Sequence, residues 1–131
     1  MNLHNQIVFI TGASAGIGRE CAELFAEAGA RLILAARRTE RLTELAASLK
    51  ERFGTATHCI SLDVRDRAAV KTALEALPVA WQEIDILINN AGLSRGMDTF
   101  QEANLDDWEE MIDTNVKGLL YVSRSVLPGM V

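Results

Sequence analysis

The chain has 131 residues, 49% of them apolar and 24% charged, with a formal net charge of −5. That length suits one compact domain, and no apolar run approaches the ~18 residues needed to cross a bilayer, so a membrane partner is not expected. The acidic balance is spread without blocks, which argues against a nucleic-acid partner, and the first residues lack the basic-then-apolar order of a secretory leader, so a cytoplasmic location is expected.

Taken in chain order, QIVFIT (residues 6–11) reads as a first strand. A glycine-rich turn follows, then a helix with Ile17, Cys21, Leu24, Phe25 and Ala28 on one face, stopped at Gly29. RLILAA (residues 31–36) reads as a second strand, leading to a helix opened by Thr39, faced by Leu42, Leu45 and Leu49, with Gly54 past its end. A third strand over residues 57–62 enters a helix begun by Asp66, faced by Val70, Ala73, Leu74 and Leu77 and stopped by Pro78. IDILIN (residues 84–89) is an apolar run of the kind found when helices cover both faces of a strand. A loop without visible period precedes a long amphipathic helix from Asn104, with Asp107 completing a capping box. Its apolar face carries Trp108, Met111, Ile112, Val116, Leu119 and Val126, and Pro128 and Gly129 end it. Cys21 and Cys59 fall in a helix and a strand with no CxxC spacing, so they read as small buried side chains; His4 and His58 read as structural or solvated, and no metal site is expected.

Strands alternating with helices in this way predict βαβ units on a parallel sheet, an α/β fold. Between the first strand and first helix stands TGASAGIG, with Gly12, Gly16 and Gly18. Glycines there allow a tight turn, a close approach of backbone to an anion and close packing of helix on strand, while the helix N-terminus offers free N–H groups. The spacing G-x-x-x-G-x-G differs from the G-x-G-x-x-G dinucleotide fingerprint, but the strand before and helix after supply the context of a phosphate-binding turn. At the end of the second strand, where NAD-preferring folds place an acid, the chain reads Ala36, Arg37, Arg38. Two guanidinium groups suit a 2′-phosphate, so NADP is expected ahead of NAD.

These residues resemble the short-chain dehydrogenase/reductase family. The resemblance is carried in order by TGASAGIG, by LDV at residues 62–64, by NNAG at residues 89–92 and by DTNVKG around Asn115. RDRAAV, IDILINNAG, DWEEMIDTN and VLPGMV are similar to a subgroup of NADP-dependent dehydrogenases acting on 3-hydroxy acids such as serine or allo-threonine. The resemblance implies a Rossmann-like doubly wound parallel sheet, here incomplete with order 3-2-1-4. It also implies that Thr11, Gly12, Ser14, Ala15, Gly16, Ile17 and Gly18 surround the cofactor phosphates and that Arg37 and Arg38 hold the 2′-phosphate. Asp63 would bond the adenine amine, Val64 would lie beside the ring, and Asn90, Ala91 and Gly92 would line the nicotinamide-side ribose. For Asp63 a turn role is the alternative; Asn89 reads as holding its loop.

The family moves a hydride together with a proton, and the proton passes through a tyrosine in a Y-x-x-x-K pair preceded by a serine. Tyr121, the only tyrosine, is followed by Ser125, lies too early and reads as a packing residue; Lys117 and Ser123 read as helix-surface residues. Of the family's catalytic residues only Asn115 has a counterpart, in a supporting role. The chain is therefore expected to be the NADP-binding part of a longer oxidoreductase acting on a small hydroxy or keto substrate, homo-oligomeric in its full form and catalytically incompetent alone. The alternatives are a noncatalytic dinucleotide-binding or interaction module, or a dehydratase or epimerase on the same fold.

Overall fold

The computed structural model describes residues 1–131. Four parallel strands, β1 (Ile7–Thr11), β2 (Arg31–Ala36), β3 (Thr57–Ser61) and β4 (Ile86–Ile88), form one sheet in the order β3-β2-β1-β4. This is the order expected from the sequence. In register, Phe9 of the central β1 faces Ile33 on one side and Leu87 on the other. The two-residue period of the strand then divides the interior into two cores. Val8 and Ile10 join Leu32, Leu34 and the helices α1 (Gly16–Glu27) and α2 (Thr39–Phe53). Ile7 and Phe9 join Ile33, Ala35, Leu62, Val64 and the helices α3 (Arg67–Glu75) and α5 (Leu119–Met130). Helices thus cover both faces, and no helix is long and apolar enough to cross a membrane.

Local signals place most element ends. Gly29, at φ +90°, lets the Ala30 amide reach the Phe25 carbonyl at 3.1 Å while its own amide reaches Ala26 at 3.0 Å, the paired bonds that close a helix on a left-handed glycine. Asp66 caps α3 by accepting the Ala69 amide at 3.0 Å. The α2 helix buries Leu42, Leu45 and Leu49 as expected, but Thr39 is its first helical residue and Arg38 the cap, with no side-chain bond. The fourth strand is shorter than expected, Ile86–Ile88; just before it the Asp85 amide donates to the Ile7 carbonyl at 2.9 Å and Asp85 Oδ2 accepts the Ile7 amide at 2.8 Å.

Two helical faces differ from expectation. In α1 the buried row is Gly18, Ala22 and Ala26, whereas Ile17 is 75% and Leu24 59% exposed. The helix must approach the glycine turn at Gly18, and only small side chains fit beneath it; Cys21 and Phe25 flank that row at half burial.

The long helix from Asn104 is three segments: α4 (Leu105–Ile112), a π turn (Asp113–Gly118) and α5. Asn104 accepts the Asp106 amide at 2.8 Å, so the expected box with Asp107 does not form. The wide turn shifts the register. The inward row becomes Thr114, Gly118, Val122 and Val126, leaving Ile112 and Val116 each 52% exposed and Leu119 42% exposed. Pro128 and Gly129, expected to end the helix, lie inside its last turn.

Candidate functional site

The site forms where the carboxyl ends of the strands meet. Thr11 ends β1 at 1% exposure, and its hydroxyl accepts the backbone amides of Asn90 at 3.1 Å and Ala91 at 3.0 Å. One side chain thus fastens the glycine turn to the loop after β4. Asn90 returns the link, its Nδ2 donating to the Gly12 carbonyl at 3.1 Å. Gly12 has φ +64°, and a Cβ there would lie 2.9 Å from Ala91 Cα, so the two backbones touch where any side chain would part them. A Cβ on Gly18 would overlap the Gly12 carbonyl and the Asn90 amide in the same way. The N-terminus of α1 has no side-chain cap and no acid in its first turn. Its first N–H groups and the positive end of its dipole are therefore available to an anion.

A cleft of about 410 Å³ opens over this junction. It brings together Gly12, Ser14, Ala15, Gly16 and Ile17 of the turn, Arg37 after β2, Asp63 and Val64 after β3, and Asn90, Ala91 and Gly92 after β4. Of the residues singled out in the sequence, Thr11, Gly18, Arg38 and Asn115 stand outside its lining. Thr11 and Gly18 build the junction beneath it, and Arg38 is exposed as the cap of α2. Asn115 is occupied at the side: Oδ1 accepts the Leu93 amide at 2.9 Å and Nδ2 donates to the Leu93 carbonyl at 2.8 Å, clasping the loop after Gly92. Asn89 donates to Ser123 Oγ at 3.0 Å, so Ser123 ties α5 to β4 rather than facing only solvent.

Sequence reading missed Ala35, Arg65, Leu93 and Thr114 in the lining. Arg65 was within reach of inference, since an aspartate two residues before it forms an Asx turn. Asp63 Oδ1 accepts the Arg65 amide and Nε, both at 3.0 Å, and Oδ2 accepts Nη2 at 2.7 Å. The Arg65 side chain, bonded to it and charged, holds the Asp63 carboxyl below its usual range, and Asp63 in turn raises Arg65. Arg65 reaches on to Glu110 at 3.3 Å, and Glu110 pairs with Arg95 at 2.9 Å, joining β3 to α4 across the edge of the cleft. Thus the turn role weighed for Asp63 is present in the fold. Tyr121 packs half-buried against the α3-side core, and Lys117 pairs with Asp113 at 3.2 Å.

A parallel sheet with a glycine turn, a bare helix N-terminus and a cleft over the strand ends is the architecture of a Rossmann-like nucleotide-binding domain. The family model for short chain dehydrogenases matches residues 6–131, and the chain belongs to that family. It is 50% identical over 125 residues to the NADP-dependent 3-hydroxy acid dehydrogenase YdfG of Escherichia coli K12, covering 95% of this chain and 49% of that protein. It is 48% identical over 127 residues to sulfoacetaldehyde reductase 2 of Chromohalobacter salexigens, covering 97% of this chain and 50% of that one. The serine dehydrogenase structure from Escherichia coli superposes with a TM-score of 0.87 at 49% identity, over 96% of this chain and 56% of that chain. L-sorbose reductase from Gluconobacter frateurii, in complex with NADPH and L-sorbose, gives 0.90 at 36% identity, over 98% of this chain and 49% of that chain. The chain spans about half the length of the curated relatives it matches.

Proposed function

We propose that these residues form the NADP-binding part of a short-chain oxidoreductase that moves hydride between NADP(H) and a small hydroxy acid or alcohol and its ketone. The observation that carries this reading is the cleft itself, which sets the glycine turn and α1 N-terminus beside Arg37, with Ala36 where an acid would select NAD. The dehydrogenase and L-sorbose reductase relatives, named for NADP dependence or seen with NADPH, support the cofactor choice. The nicotinamide, when bound, supplies the hydride chemistry.

The protein's part here is to hold and orient. Backbone amides at the start of α1 bind the phosphates, and Arg37 with its exposed neighbour Arg38 binds the 2′-phosphate. Val64 and Asp63 flank the adenine, with Arg65 holding the Asp63 carboxylate in place. Asn90, Ala91 and Gly92 line the nicotinamide-side ribose, their loop fixed by Thr11 and Asn115. Proton transfer is assigned to no group in these residues, because Tyr121 packs away from the cleft lining and no tyrosine is followed by a lysine four places on. The exposed row of Ile112, Val116, Leu120 and Leu127 favours self-association of the full enzyme.

Replacing Arg37 and Arg38 together by Ala tests the cofactor assignment. Loss of charge-assisted contacts should weaken NADP binding on the order of 10- to 100-fold while leaving NAD binding nearly unchanged. Equal losses for the two dinucleotides would refute it.

A further inference from the structure

The loop after β4 is held by side chains alone. Residues 91–98 make no backbone–backbone hydrogen bond. Past Gly92 the side chains that hold them come from α4 and the π turn, met in reverse order as the loop advances. Asn115 takes both the amide and the carbonyl of Leu93, Met111 Sδ accepts the Arg95 amide at 3.3 Å, and Glu110 takes the Arg95 guanidinium. A Cβ on Gly96 would then lie 3.6 Å from Asp107 Oδ2.

Beyond Leu93 the strong anchor is Arg95 on Glu110. It is a two-pronged contact, with Nε on Oε2 at 2.9 Å and Nη2 on Oε1 at 3.2 Å. Charge-assisted bonds of this kind are roughly twice as strong as neutral ones, and a thioether is a weak acceptor. An isolated surface ion pair counts for little, but a bidentate pair inside a network is the exception. Glu110 is only 23% exposed and takes a second guanidinium, Arg65 Nη1 at 3.3 Å. Asp63 holds Arg65 from the other side, so charges of alternating sign run from the turn after β3 to the loop after β4. The two ends of this ladder depend on Glu110 unequally. Arg65 keeps its bonds to Asp63 without it, whereas Arg95 has no other ion-pair partner. Two residues before Arg95, Leu93 forms part of the cleft wall.

We propose that Glu110 is a positioning residue for the nicotinamide-side half of the dinucleotide: through Arg95 it fixes the loop after Gly92, and with it the Leu93 wall of the cleft, without touching the ligand. The proposal rests on the dinucleotide reading above. Glu110→Gln therefore acts on one end of the ligand, because Asp63 and Arg65 at the base end stay joined to each other.

The test compares wild type, Glu110→Gln, Arg95→Met and the double variant of the 131-residue chain. Hydrogen exchange is followed in the free proteins, and each is titrated with NADP and with adenosine 2′,5′-bisphosphate, which lacks the nicotinamide half. Both single variants should speed exchange of the Leu93 and Arg95 amides at least about threefold and leave the Arg65 amide, held by Asp63, unchanged. They should bind NADP about 3- to 10-fold more weakly and the bisphosphate within about twofold of wild type, and the double variant should be no weaker than Glu110→Gln. Unchanged loop exchange, wild-type NADP affinity in either single variant, equal losses for the two ligands, or additive losses in the double variant would each overturn the proposal. Failure of the wild type to bind either ligand would instead overturn the dinucleotide reading, and this proposal with it.

Discussion

Replacing Gly18 by Ala should destabilise the protein although Ala is the better helix former. The added methyl would overlap the Gly12 carbonyl oxygen and Asn90 Nδ2, the two atoms joined by the 3.1 Å bond that ties the glycine turn to the loop after β4. A backbone carbonyl at the end of a central strand cannot swing aside as a long side chain can. Losing that hydrogen bond costs about 1 kcal/mol, and forcing a methyl into a packed site costs about 1–3 kcal/mol. Helix propensity returns up to about 1 kcal/mol. The net loss is about 1–3 kcal/mol, a fall in melting temperature on the order of 4–12 °C for a domain of this size. Urea unfolding followed by circular dichroism measures it, with Gly129→Ala as control, because a Cβ at Gly129 meets nothing within 4 Å. A Gly18→Ala protein as stable as the Gly129→Ala protein would refute the close packing of α1 on the turn.

Two further outcomes follow from the same junction and its neighbour. Thr11→Val strips the acceptor from the Asn90 and Ala91 amides and should cost about 2–4 kcal/mol in urea unfolding; Thr11→Ser should recover most of it, and a serine variant as unstable as the valine would locate the effect in the methyl group instead. Because Arg65 holds the folded Asp63 carboxyl below its unfolded value, the pair's contribution to stability is present above about pH 4 and is lost as pH falls toward the folded value. Both side chains are about one-third exposed, so the loss is small and screened by salt. Asp63→Asn should flatten that part of the pH–stability curve, and an unchanged acid limb would show that Asp63 does not contribute to it.

Much of the site was legible locally. The glycine turn, the cap at Asp66 and the leucines of α2 depend on backbone sterics and a regular period, which act over a few residues. The face of α1 was misread because bulk was taken to mark the core, whereas close contact at Gly18 admits only Gly18, Ala22 and Ala26. The long helix was misread because its apolar residues were counted at one constant period, and the π turn changes that period after Ile112. Arg65 left a readable local trace beside Asp63; Leu93 and Thr114 left none.

The sequence by itself determined the succession of strands and helices, the parallel α/β class, the glycine-rich turn between β1 and α1 and the arginine pair after β2, since each is a matter of residues near one another in the chain. Tertiary structure alone decided which groups share a cleft and which are already spent. Thr11 meets the Asn90 amide across 79 positions, and Arg65 meets Glu110 across 45. Those pairings exist because the sheet order brings distant strand ends to one edge, where hydrogen bonds and close packing, rather than local preference, set which side chains remain free to bind.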